Sequence, residues 1–348
     1  MKKVLLGMSG GTDSSVAAMI LKESGYEVIG ITFRFYDREE NTRHLEDARE
    51  LADRLGIEHR VYDARDLFKD KILSYFISEY MSGKTPVPCV ICNNELKWKL
   101  LCDIAEIEGI DYISTGHYVQ KVWVDGKYYI TQGKDPEKDQ SFFMWGLGQR
   151  ILSRMLLPLG DLHKSEVREY ARKQGFLKAA DKKDSLGVCF CPGDYRPFLK
   201  EHVDPSLIKP GYFKDTKGNI LGKHAGFPFY TVGQRRGLGI NFQYAVFVKE
   251  IDAETNTVIL SKLEDMYHQT MYLKDVHFID PEDINTLPLT CKIRYRKQEN
   301  GCTIELTENN CATVRFDEPV NSIAPGQSAV FYCGDRVIGG GIIVSAAD

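Results

Sequence analysis

Leu5-Leu6-Gly7-Met8-Ser9-Gly10-Gly11-Thr12-Asp13-Ser14-Ser15 decides how this chain folds. The apolar run Val4–Leu6 reads as a buried parallel strand. A turn of small residues follows, and Asp13–Lys22 then reads as an amphipathic helix with Val16, Met19 and Ile20 on one face. Glycines let backbone approach an anion closely, and the amides that open a helix point toward it. The phosphate loop of kinases and GTPases is excluded, because no Lys-Ser or Lys-Thr follows the second glycine. The plainer alternative is an ordinary tight strand–helix turn.

S-G-G-T-D-S after a first strand resembles the PP-loop of ATP pyrophosphatases. That resemblance implies cleavage of ATP between its α- and β-phosphates, with a carbonyl oxygen adenylated so that a nucleophile displaces AMP. Composition sets the wider bounds. The 348 residues allow two or three domains with ample core, and 43% hydrophobic content is ordinary for a globular chain. No apolar run approaches the roughly 20 residues of a membrane span. No signal-type stretch follows Met1-Lys2-Lys3, so a cytoplasmic location without a membrane partner is expected. Nine cysteines over this length argue for reactive thiols, metal ligation or burial rather than a disulfide scaffold. A net charge of -4 does not advertise nucleic-acid binding, although such footprints are local.

Through the first half, strand signals (3–7, 27–33, 58–62, 112–115) alternate with helix signals (13–24, 43–55, 67–80, 93–108). This pattern predicts an α/β doubly wound parallel sheet. Asp125-Gly126 between two β-rich runs signals a type I′ hairpin, and helical spacing over Leu162–Gln174 ends at Gly175. Beyond about residue 205, prolines punctuate and short β-rich runs take over, among them 245–251, 257–261, 290–295 and 328–333. The expected organisation is an ATP-binding catalytic domain over 1–204, a small β-rich central domain over 205–272 and a C-terminal β-barrel over 273–348.

Two segments carry candidate thiol chemistry. In the run from Gly83 to Trp98, Pro86 and Pro88 stiffen a loop, and Asn93 or Asn94 is placed to cap the helix that follows. Cys92 would then lie beside the positive end of a helix, which lowers a thiol pKa. The second segment is Lys183-Asp184-Ser185-Leu186-Gly187-Val188-Cys189-Phe190-Cys191-Pro192, and the two loops are expected to meet over the ATP site. Cys102, Cys291, Cys302, Cys311 and Cys333 read as small buried hydrophobes. C-x-x-C with a distant C-x-C is also compatible with structural zinc.

Eight strings fall in one order: the opening turn, T-P-V-P-C-V-I-C-N near residue 90, S-T-G-H-Y at 114–118, K-D-Q-S at 138–141, G-V-C-F at 187–190, F-Y-T-V-G-Q-R-R-G-L-G at 229–239, R-Y-R at 294–296 and A-P-G-Q-S-A-V at 324–330. Together they resemble the tRNA-specific 2-thiouridylase family, enzymes that thiolate the wobble uridine of certain tRNAs, over essentially the whole chain. The resemblance implies that Gly7, Met8, Ser9, Gly10, Gly11, Thr12, Asp13 and Ser14 bind ATP, with Phe33 and Gly116 at further nucleotide contacts. Mg²⁺ is expected beside the triphosphate, with Asp13 either contributing to its site or capping the helix. By motif position Cys92 is the nucleophile and Cys189 carries sulfur as a persulfide, leaving a Cys92–Cys189 disulfide to be reduced between cycles. One departure stands out: three residues before Cys92, where family members often have Asp, this chain has Cys89. Cys89, Cys92 and Cys189 form a set able to hold a [4Fe-4S] cluster with one open iron, as the alternative to the two-cysteine route.

The resemblance also assigns the target-base contact to Val87, Pro88 and Cys89, and tRNA contacts to His117, Lys138, Asp139, Gln140, Arg294, Tyr295 and Gln327. A wobble base must leave its stack to reach such a site. Independently, Lys292–Lys297 sets basic residues around an aromatic, and Arg235-Arg236 add charge, a pattern suited to phosphate and base contact. The implied partners are tRNAs for Lys, Glu and Gln, and a sulfur-relay protein or cysteine desulfurase. Rival readings are another PP-loop adenylating enzyme, which would not need Cys92 and Cys189, a metal or sulfur carrier that releases no AMP, and a tRNA-binding scaffold.

Overall fold

The chain is described in a computed structural model that covers residues 1–37, 43–177, 187–240, 242–296 and 299–348. Lys183–Leu186 of the second thiol segment, and Lys297 of the basic run, lie outside the described residues.

The chain divides into two compact units, one of residues 1–72, 89–190 and 335–337, the other of residues 73–88, 191–334 and 338–348. In the first unit the strands are β1 (Lys3–Gly7), β2 (Glu27–Arg34), β3 (Glu58–Asp63), β4 (Tyr112–Thr115), β5 (Val119–Val124), β6 (Lys127–Gln132) and β7 (Met155–Leu156). Five of them form a parallel sheet in the order β3-β2-β1-β4-β7. Val4, Leu5 and Leu6 are completely buried, as a strand covered on both faces requires. The helices α1 (Thr12–Glu23), α2 (Arg43–Leu55), α3 (Trp98–Ile107) and α4 (Lys164–Lys173) supply the cover. Val16, Ala17 and Met19 of α1 share one core with Ala48 and Leu51 of α2 and Val167 and Ala171 of α4. The β5–β6 hairpin turns at Asp125 (φ 47°) and Gly126 (φ 81°), the paired left-handed conformation of the type I′ turn anticipated there.

The order of this sheet positions the site. From β1 the chain moves outward to β2 and β3, then returns to β4 on the opposite side of β1. A crevice therefore opens beyond the carboxyl ends of β1 and β4, where such sheets bind ligands.

The second unit contains a four-stranded sheet of β8 (Gly211–Asp215), β9 (Ile220–His224), β10 (Phe247–Asp252) and β11 (Thr257–Ser261). It continues into β12 (Tyr267–Phe278), β13 (Leu289–Lys292), β14 (Asn300–Thr307), β15 (Cys311–Asn321), β16 (Ser328–Cys333) and β17 (Arg336–Ala347). These run β12-β15-β14-β13-β16-β17, and the β12–β17 pairing closes them into the expected barrel. One strand is shorter than its sequence run. β13 stops at Lys292, because Arg294 leaves the ladder to donate to the carbonyls of Val232 and Ser322 at 2.8 and 3.3 Å. Among the described residues no helix is long and apolar enough to cross a membrane.

Candidate active site

The glycine turn lies at the carboxyl end of β1 and is braced by its own serines. Ser14 Oγ accepts from the Ser9 N–H at 3.2 Å, and the Ser14 and Ser15 hydroxyls donate to the Gly11 carbonyl at 3.2 and 2.7 Å. Gly10 adopts φ 65°, and a Cβ there would stand 2.5 Å from the His44 carbonyl oxygen. At the end of β4, a Cβ on Gly116 would stand 2.7 Å from both Asp13 C and Ser14 N. Only glycine fits either place. No side chain caps α1 at Gly11, and amides at a helix start are donors of the kind that bind anions such as phosphate.

Asp13 does not cap the helix. Its carboxylate accepts from Lys164 Nζ at 2.7 and 2.8 Å and from the Tyr118 hydroxyl at 2.6 Å. Lys164 is nine-tenths buried and opens α4, with its N–H donating to Asp135 Oδ2 at 2.9 Å. Lys164 and Tyr118 were not picked out from sequence. The available signal was a lysine in the first turn of a helix, where the dipole disfavours positive charge. Phe33, at the end of β2, is buried and stacks on Phe35 with ring centroids 5.5 Å apart.

The thiol segment departs from expectation. A helical path runs from Pro88 to Ile107, with a wider π-type turn over Cys92–Lys97. Cys89 and Cys92 therefore stand inside it, and Asn93 and Asn94 are buried in its middle rather than capping its start. Asn93 Nδ2 instead donates to the Cys89 carbonyl at 3.0 Å. The expected lowering of the Cys92 pKa is reversed: burial pushes the thiol up to about 12, against the pull of the Lys97 ammonium. Burial also raises Cys89, to about 11, and the charge of Cys189 adds to that rise. A π-type turn brings residues five apart onto one face, which puts Lys97 on the side of Cys92.

Cys189 is exposed, and its neighbour Phe190 anchors it, with a fully buried ring packed against Phe68 (5.7 Å between centroids) and Tyr36 (6.2 Å). All nine cysteines are thiols. Cys102, Cys291 and Cys302 are buried as anticipated, while Cys311 and Cys333 are half-buried. Cys191 is buried with Sγ 3.6 Å from the Asp194 carbonyl. Among the described residues no three His, Cys, Asp or Glu side chains converge to hold a metal ion. Cys89, Cys92 and Cys189 nonetheless lie near enough for charge on one thiol to raise another: Cys189 acts on Cys89, and both act on Cys92.

Gly116-His117 joins the two halves of the site. Gly116 abuts the glycine turn, while burial and then the Lys97 charge hold the His117 imidazole neutral, well below its usual range. His117 Nδ1 lies 2.5 Å from Thr115 Oγ1, and its ring lies 5.8 Å from that of Trp98.

Comparison with known proteins agrees with this layout. Residues 2–193 match a family profile described as tRNA methyl transferase HUP domain, 196–262 its PRC-barrel domain, and 268–343 an aminomethyltransferase beta-barrel domain. A Phocaeicola vulgatus protein named tRNA-specific 2-thiouridylase MnmA 2 is 57% identical over 343 residues, 98% of each chain. This chain belongs to the tRNA-specific 2-thiouridylase family. A Bacteroides fragilis relative, tRNA-specific 2-thiouridylase MnmA 1, is 56% identical over 98% of this chain and 97% of its own. One from Clostridium acetobutylicum is 43% identical over 98% and 99%.

Within this thiouridylase family member, several side chains expected at tRNA make hydrogen bonds inside the protein. Asp139 is buried and accepts from the N–H groups of Gly133 and Ser141 and from the Ser141 hydroxyl. Gln140 Oε1 accepts from the Tyr118 N–H at 2.9 Å, and Lys138 is half-buried. In the second unit Arg294 is turned inward as described, Gln327 Nε2 donates to the Thr85 carbonyl at 2.7 Å, and Val87 and Tyr295 are half-buried while Pro88 is buried. Arg235 and Arg236 are exposed.

Two outcomes follow from this geometry. In a thermal-unfolding cycle of Asp13→Asn, Lys164→Met and the double variant, the double loses less than the sum of the singles, by roughly 0.5–3 kcal/mol. In the tRNA-free protein at neutral pH, iodoacetamide modifies Cys189 at least about tenfold faster than Cys92. Because the Cys92 pKa is raised, its thiolate fraction and alkylation rate climb about tenfold per pH unit throughout the range below about 12.

Proposed function

We propose that this chain uses ATP to exchange oxygen 2 of the wobble uridine of tRNA for sulfur, releasing AMP and pyrophosphate. The observation that carries the reading is the join at Gly116-His117, which makes one site of the phosphate-binding turn and the Cys89–Cys92 helix. The domain profiles are described by methyl transfer, but a turn suited to splitting ATP beside paired thiols suits thiolation, the activity in the names of the full-length relatives.

Uracil oxygen 2 is a poor leaving group. Its attack on the α-phosphorus of ATP, bound as a Mg²⁺ complex on the turn from Gly7 to Ser14, expels pyrophosphate and leaves an O-adenylated base. The terminal sulfur of a Cys189 persulfide then attacks carbon 2, and the C–O bond breaks to release AMP. Cys92, giving up its thiol proton to solvent as it attacks, cleaves the remaining S–S bond, so the base keeps the sulfur and its electron pair while Cys92 and Cys189 form a disulfide. An external dithiol reduces that disulfide. Val87, Pro88 and Cys89 face the flipped base, and Lys164 holds Asp13 at the phosphate turn. We assign no step to an iron–sulfur cluster. Substrates are tRNAs for Lys, Glu and Gln, sulfur arrives from a relay protein or cysteine desulfurase, and the reaction belongs in the cytoplasm.

Incubation with ATP, a persulfide donor and tRNA, followed by nucleoside mass spectrometry, yields wobble 2-thiouridine; its absence contradicts the reading. Cys92→Ser and Cys189→Ser each abolish the product. Cys89→Ser retains it, and anaerobically purified protein holds no stoichiometric iron. Filter binding across a salt series separates the arginines. Arg235→Ala and Arg236→Ala each flatten the slope of log affinity against log salt by about 1. Arg294→Ala leaves the slope unchanged and costs about 1–3 kcal/mol of stability, because two buried carbonyls lose their donor.

A further inference from the structure

The segment Thr85-Pro86-Val87-Pro88 leads into the thiol-bearing helix, and its two prolines leave only Thr85 and Val87 with backbone N–H groups. Both polar groups of the Thr85 backbone are held by one turn of the second unit, Ala324-Pro325-Gly326-Gln327. The Thr85 N–H donates to the Pro325 carbonyl at 2.8 Å, and its carbonyl accepts from Gln327 Nε2 at 2.7 Å. Gly326 adopts φ 87°, and a Cβ there would stand 2.9 Å from Thr85 N and 3.0 Å from Lys84 Cβ. The turn is itself stapled to the last strand of the barrel. The Gly326 N–H donates to the Ile343 carbonyl at 2.9 Å, and the Ile343 N–H donates to the Gln327 carbonyl at 2.8 Å. Ile343 is 1% exposed, so that anchor is fixed by the barrel core. On the other side of Thr85, the Lys84 N–H donates to the Glu79 carbonyl at 2.9 Å.

Pro88 opens the helix in which Cys89 and Cys92 stand. Prolines at 86 and 88 restrict the backbone between Thr85 and Cys89, so a shift at Thr85 is transmitted rather than absorbed. We propose that Gln327 is a positioning residue for sulfur transfer: its amide fixes the Thr85 carbonyl, and through it the stance of Val87-Pro88-Cys89 at the start of the thiol-bearing helix. This role differs from a direct tRNA contact, and its kinetic consequence rests on the thiolation reading above. A contact would govern affinity. Positioning governs rate, since a displacement of about 1 Å at reacting groups costs up to about 10²-fold.

The test uses the full-length protein with Gln327→Glu, which keeps the shape and removes the donor, and with Gly326→Ala, which crowds Thr85 while leaving the Gln327 amide in place. Single-turnover thiolation at saturating tRNA, tRNA affinity by filter binding, and iodoacetamide labelling of Cys89 in tRNA-free protein are measured for each. The proposal expects the thiolation rate to fall about tenfold or more while tRNA affinity stays within about twofold. Cys89 labelling accelerates several-fold as the helix start loosens. Weaker tRNA binding at an unchanged rate, or unchanged rate and labelling together, overturns it. If the wild-type protein makes no 2-thiouridine, the thiolation reading fails, and the Cys89 labelling arm alone still decides whether Gln327 holds the segment.

Discussion

Backbone-to-backbone contact at the start of α1 is the constraint from which the rest of the first unit follows. The end of β4 comes so close to Asp13 and Ser14 that Gly116 has no room for a Cβ, and Gly10 is equally confined by the start of α2. That closeness is affordable only because β1 and β4 are adjacent parallel strands, which requires the chain to reverse its direction of travel across the sheet after β3. The same reversal opens the crevice beyond the strand ends. Phosphate binding, the Asp13–Lys164 pair and the placement of His117 all inherit their geometry from this one approach.

Burial governs the thiols. Cys92 stands in a helix interior where desolvation outweighs the Lys97 ammonium, so it is protonated at neutral pH. Cys189 stands on an exposed turn held by the buried ring of Phe190. An incoming sulfur atom meets the exposed thiol first, which matches the proposed division between a persulfide carrier and a protected partner. The proposed Gln327 clamp extends the same economy of design into the barrel, where a side chain expected at tRNA by motif holds the Thr85 backbone.

Much of this was legible in the sequence because it depended on local pattern. Continuous apolar runs marked the buried strands, Asp125-Gly126 marked the hairpin, and the glycine string marked the tight turn from β1 into α1. The failures share a physical origin in tertiary contact. Nothing in the spacing of Cys92 announced that the helix begins four residues earlier at Pro88, which exchanges a thiol at a positive helix end for a buried one. Lys164 is separated by 151 positions from the carboxylate it pairs with, beyond any periodicity argument. Nor does a string of letters show that Arg294 and Asp139, expected at tRNA, also make inward hydrogen bonds.

The account stands or falls on where the uridine oxygen goes. Adenylation of oxygen 2 transfers that atom to AMP, whereas direct ATP hydrolysis beside an unrelated thiol exchange does not. Wobble uridine labelled with ¹⁸O at carbon 2, thiolated by the protein in unlabelled water, can be followed by mass spectrometry of the released AMP. The account predicts one ¹⁸O in AMP for each 2-thiouridine formed. Unlabelled AMP alongside thiolated tRNA would contradict it.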